Sequence, residues 1–192
     1  MIIKLTYFTG IIDRSKISEV DNILRNENIG LSLVDKTGHA QMSLDQLISQ
    51  IYVTIPPAIV SAIASGLLTN AMYDAIKTSL LEISSNLKGK TLVKISPKNE
   101  TKEVPANFGV KFEAGENNFD LQFSSELSKE LQDKCIEEAF SIIKKEGDAK
   151  ELTIDLIHRQ KNLIGYFNPN TQKWELIDLL DLIKNKRESG DL

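Results

Sequence analysis

Cysteine occurs once in the 192 residues, as Cys135, so no intrachain disulfide and no cysteine metal cluster can form. A chain this poor in cysteine suits a reducing cytosol, and a cytoplasmic protein is expected. Histidine occurs twice, as His39 and His158, far apart and outside any HExxH or HxH spacing. Both read as solvated loop or strand-end histidines. The phosphate-binding patterns GxGxxG and GxxxxGK[ST] are missing, as is the GxSxG nucleophile elbow of serine hydrolases. An excess of basic charge is missing too. Twenty-three Lys and Arg stand against 27 Asp and Glu, for a net charge of −4, which argues against a nucleic-acid backbone as partner.

Charge itself is scarce in one place. From Gln46 to Tyr73, 28 consecutive residues are uncharged, in a chain that is 26% charged overall. A bilayer core needs about 20 mostly apolar residues. Between Pro57 and Asp74 the run is shorter and holds Ser61, Ser65, Gly66, Thr69 and Asn70, with no Lys or Arg cluster at its flanks. No membrane span is expected. Peripheral attachment through residues 55–68 stands as a minor alternative. The amino terminus MIIKLTYFTG lacks a long apolar region and a small-residue cleavage site, so it reads as a strand and not as a signal peptide.

The periodicities predict α+β. Ile2–Thr9 is β-branched and aromatic, Ser15–Arg25 places Ile17, Val20, Ile23 and Leu24 at helical spacing, and Ile29–Val34 returns as a strand. This β-α-β opening predicts two parallel strands. Ser43 to Gln46 fits a capping box for a helix over Ser43–Tyr52. Pro57 then opens a long helix to about Leu87, stopped by Gly89.

The second half reads as strands over Lys90–Ser96 and Thr101–Val104. A hairpin follows, with Phe108, Val110 and Phe112 facing Phe119, Leu121 and Phe123 around Gly115–Asn118. A helix capped by Ser124 or Ser125 runs to about Glu146, with Cys135 buried on a row with Leu127, Leu131 and Ala139. A strand over Leu152–His158, a hairpin over Ile164–Phe167 and Gln172–Ile177, and a helix over Leu179–Lys186 complete the chain. The predicted organisation is a β-α-β lobe with a long buried helix over residues 1–89. An antiparallel, hairpin-rich lobe with one long helix follows over 90–187, then a tail over 188–192. The two lobes could form one continuous domain, with Lys88-Gly89-Lys90 as the junction.

At 100° per residue, a continuous helix puts Ala58, Ala62 and Gly66 on the same side as the later Met72, Tyr73, Ile76, Leu80 and Ile83. That side is the predicted core face. Ile59, Val60, Ile63 and Leu67 lie opposite and need a cover. The chain's own Ser43–Tyr52 helix is one candidate and another protein the other, so these four residues are the candidate protein-binding surface.

No catalytic, cofactor-binding or metal-binding residue is assigned, and no cofactor is expected. Glu113 and Asp120 flank a hairpin turn, but alternation puts both on its outward, solvated face. Tyr166, Phe167 and Trp174 could stack a ligand, though cross-strand packing accounts for them.

The stretches MIIKLTYFTG, IGLSLVD, AIASGLLTNAMYDAIK and KTLVKIS together resemble the effector-associated constant components of bacterial conflict systems. The resemblance covers residues 1 to about 96 and carries over no catalytic residue. It implies a non-catalytic accessory that binds other proteins, an effector among them or a second copy, in antiviral or inter-bacterial conflict. The competing expectation is a small-molecule sensor or enzyme with its pocket between the two lobes.

Overall fold

The computed structural model describes residues 1–38, 51–95, 101–147 and 161–189. Nine strands and five helices lie within them: β1 Ile2–Tyr7, α1 Arg14–Asn26, β2 Gly30–Asp35, β3 Ile51–Thr54, α2 Pro57–Ala64, α3 Asn70–Asn86, β4 Thr91–Ile95, β5 Thr101–Pro105, β6 Asn107–Ala114, β7 Asn117–Ser124, α4 Lys129–Gly147, β8 Asn162–Asn168, β9 Lys173–Asp178 and α5 Leu179–Ser189. The chain is α+β. Seven strands form one mixed sheet in the order β2-β1-β3-β6-β7-β8-β9, and β4 and β5 pair separately. The sheet therefore joins strands from both sides of Lys88-Gly89-Lys90.

Topology follows from what each connection carries. The parallel pairs are β1/β2, β3/β6 and β7/β8, and each is linked through helices, as a parallel return requires. The antiparallel pairs β6/β7 and β8/β9 close through short turns. Gly115 takes a φ of 58° in the β6/β7 turn, a left-handed backbone that glycine adopts without a Cβ penalty.

Alternation divides the sheet into two faces. Ile3, Leu5, Ile51, Val53, Phe108, Val110, Phe112, Phe119, Leu121 and Phe123 point to one, and all are buried. Helices α1 to α4 pack together on that side: α3 touches α1 and α4, α4 touches α2, and α2 and α4 both touch β6. Helix α4 buries Gln132, Cys135, Ile136, Ala139, Phe140 and Ile143, the stripe of an amphipathic helix against a sheet. Cys135 sits in the core as expected. Its helix starts later than the sequence suggests. Ser128 accepts from Leu131 N at 3.3 Å, while the buried Ser125 hydroxyl donates instead to the Ala106 carbonyl at 2.6 Å.

The predicted long helix is two helices. Gly66 has a φ of 69°, and the Leu67 amide bonds back to the Ala62 carbonyl at 2.9 Å, which ends α2. Thr69 then caps α3 by accepting from Met72 N at 3.2 Å. Rotational phase does not carry across such a break. Each helix buries its own apolar side: Ile59, Val60 and Ile63 in α2, and Ile76, Leu80 and Ile83 in α3. The core face assigned to α2 from the sequence is inverted, because Ala58 and Ser61 face solvent. Of residues 55–68, the candidate segment for peripheral membrane attachment, Ile55, Ile59, Val60 and Ile63 are buried and Leu67 is exposed. No described helix is long and apolar enough to cross a membrane.

Two further expectations meet a different outcome. Ile51 and Tyr52 belong to strand β3, not to the end of a helix, and Ser43 to Gln50 lie outside the described residues. The strand expected over Leu152–His158 also lies outside them, as do both histidines.

Candidate functional site

The second face of the sheet is polar, and its register sets side chains in transverse rows. Lys4 pairs with Thr54, Thr54 with Lys111, Lys111 with Asp120 and Asp120 with Ile164, so one row crosses five strands. The next row runs Thr6, Tyr52, Gly109, Gln122 and Tyr166. On the other flank, Glu113 pairs with Asn118 and Asn118 with Asn162.

Between these rows lies an open cleft of about 370 Å³, lined by Lys4, Tyr52, Thr54, Lys111, Glu113, Asn118, Asp120, Asn162 and Ile164, with Pro57 and Leu179 among its apolar walls. Its size falls in the range of small-molecule sites. Residues on both sides of the Lys88–Lys90 junction contribute.

The floor is charged, with a buried carboxylate and a half-buried ammonium. Lys111 Nζ lies 3.0 Å from an Asp120 carboxylate oxygen, and Asp120 is only 8% exposed. The same ammonium stands 3.9 Å from the centroid of the Tyr52 ring, a cation–π geometry. Burial alone would raise the Tyr52 phenol. The Thr6 hydrogen bond and the Lys111 and Lys36 ammonium groups outweigh it and lower the phenol below its ordinary value. Tyr166 moves the other way, raised by burial and by the charge of Asp120.

The carboxylate pair considered from sequence is thereby corrected. Glu113 is exposed at the rim, but Asp120 is buried on the polar face and paired with Lys111. Both residues lie on the second face, as alternation requires, but β7 is a central strand and its neighbours withdraw Asp120 from solvent. Lys4, Tyr52 and Lys111 were not singled out, because their convergence depends on β1, β3 and β6 becoming neighbours. Long-range pairing of this kind leaves no local signal.

Of the aromatic group, Phe167 and Trp174 resolve as packing, while Tyr166 lies on the polar face. Phe167 and Trp174 are cross-strand partners in edge-to-face contact at 5.4 Å, and the indole N–H donates to the Cys135 carbonyl at 3.2 Å. Of the four candidate protein-binding residues, Ile59, Val60 and Ile63 are core residues covered within the chain by neighbours that include α4 and β6. Leu67 is 80% exposed in the turn between α2 and α3. Among the described residues, no group of three His, Cys, Asp or Glu side chains could hold a metal ion. Comparison with protein-family models, curated proteins and solved structures returns no match.

Proposed function

We propose that the chain is a small-molecule-binding protein, a sensor in the broad sense, whose site is the cleft on the polar face of the sheet. The observation that carries this reading is the Lys111–Asp120 pair at the cleft floor. The buried Asp120 carboxylate loses hydration that its attraction to the half-buried Lys111 repays only in part, so an apolar residue of the same size there stabilises a fold at least as well. A half-buried pair at the floor of an open cleft presents oriented charge to whatever enters it. The apolar surface on which a protein-docking role was to rest is largely core, which weakens that rival.

A ligand-observed NMR screen with small polar fragments tests the reading. Fragments should show saturation transfer with the parent protein and lose it with Thr54→Trp, which fills the cleft from a strand position that does not face the helices. A screen without hits, or hits indifferent to Thr54→Trp, contradicts the proposal.

A second reading, as a protein-binding accessory, keeps one observation in its favour, the exposed Leu67 side chain. Loss of a purified complex on Leu67→Asp, with the cleft variant unaffected, would select it.

A further inference from the structure

The charges of the cleft are not all engaged. Lys111 is held by Asp120 and lies on the Tyr52 ring, whereas Lys4 and Glu113 form no ion pair among the described residues. Lys4 stands on β1 at one edge of the site and Glu113 on β6 at its rim. Two strand spacings separate β1 from β6, and Glu113 lies two residues beyond Lys111 on the same face, so their Cα atoms are about 12 Å apart. Side chains on strands stand roughly perpendicular to the sheet, so the two charged ends stay about 12 Å apart, a span that an extended dipeptide with an ion pair at each end fills.

Resting on the small-molecule reading above, we propose that the ligand is a zwitterion of roughly dipeptide size. Its carboxylate meets Lys4, its ammonium meets Glu113, and its body lies over Thr54 on the intervening strand β3. The cleft carries two cationic side chains and two anionic ones, so its formal charge sums to zero. A net-neutral, dipolar ligand compensates both outer charges. A singly charged ligand leaves one of them facing its own sign or nothing, which costs specificity.

Isothermal titration calorimetry with three probes tests this: glycyl-L-leucine, its carboxamide, and its N-acetyl form. The free dipeptide should bind saturably, and each capped form should bind at least about tenfold more weakly, the equivalent of one lost charge-assisted hydrogen bond. Lys4→Ala should make the dipeptide and its carboxamide equal, and Glu113→Gln should make the dipeptide and its N-acetyl form equal. Both residues are exposed, so these variants should melt as the parent does. Equal binding of all three probes, or binding of none, overturns the zwitterion assignment. Fragment hits lost with Thr54→Trp would, in that event, still support the small-molecule reading, and a screen without hits would remove both.

Discussion

Asp35 shows how single residues hold the carboxyl ends of the first two strands. Its carboxylate accepts from the Thr37 hydroxyl at 2.6 Å, the Thr9 hydroxyl at 2.5 Å, and the Thr37 and Thr9 amides at 2.8 and 3.2 Å. These donors, the Thr37 hydroxyl first, hold the Asp35 carboxyl well below the usual carboxylate range. A depressed folded-state pKa stabilises the protein above the ordinary aspartate value of about 3.9, and that contribution is lost as pH falls through the lowered value. Carboxyl-carbon NMR should therefore find Asp35 titrating below the other aspartates, and Thr37→Val should move it upward. An ordinary midpoint in the parent would show that the donors do not engage it. Cys135 makes a second residue-scale prediction. It is fully buried, and burial pushes its thiol well above the ordinary range. The native protein should be inert to thiol reagents until it unfolds, and Cys135→Ser should cost about 1–3 kcal/mol for the buried hydroxyl. Rapid labelling of the native state would place the thiol elsewhere.

At the scale of elements, the turn between α2 and α3 separates two accounts of one sequence. In a single continuous helix, Ile63 and Leu67 would share a face and respond alike to truncation. In the broken arrangement, Ile63→Ala should cost about 2–5 kcal/mol and Leu67→Ala no more than about 0.5 kcal/mol in urea unfolding. Similar losses at the two sites would restore the continuous helix. Gly66 gives an independent check. A Cβ there meets nothing within 4 Å, so Gly66→Ala and Gly66→Leu should cost nearly the same, about 1–2 kcal/mol, from the left-handed backbone alone. A much larger loss for leucine would mean that the position is packed. The same turn marks what sequence could and could not tell. Patterns confined to one element or to neighbours in sequence are legible: the alternation of Phe108 to Phe112, the burial of Cys135 and Ala139 on one helical row, and the parallel return of β1 and β2 through α1. The break at Gly66 was missed because a glycine amid small apolar residues reads equally as helix interior or helix stop. Once phase was carried across it, every face assignment upstream inverted. Buried Gln132 escaped notice for another reason. Its amide is satisfied by the Ser84 hydroxyl and the Ser125 and Leu127 carbonyls, all from beyond its own helix.

On the scale of the whole molecule, one sheet carries two environments. Helices α1 to α4 cover its apolar face, and the polar face gathers Lys4 from β1, Thr54 from β3, Lys111 from β6 and Asp120 from β7 into one row. The cleft exists only because β3 and β6 pair, which joins the two halves of the sequence. Function on this account resides in that junction and not in any one element. Backbone amide shifts of the full chain, followed while a cleft-binding fragment is titrated, test this most directly. Saturable shifts should cluster at residues 52–54, 111–120 and 162–164, and should vanish in Thr54→Trp. Shifts centred instead on the turn around Leu67, or a cleft pattern unchanged by Thr54→Trp, would contradict it.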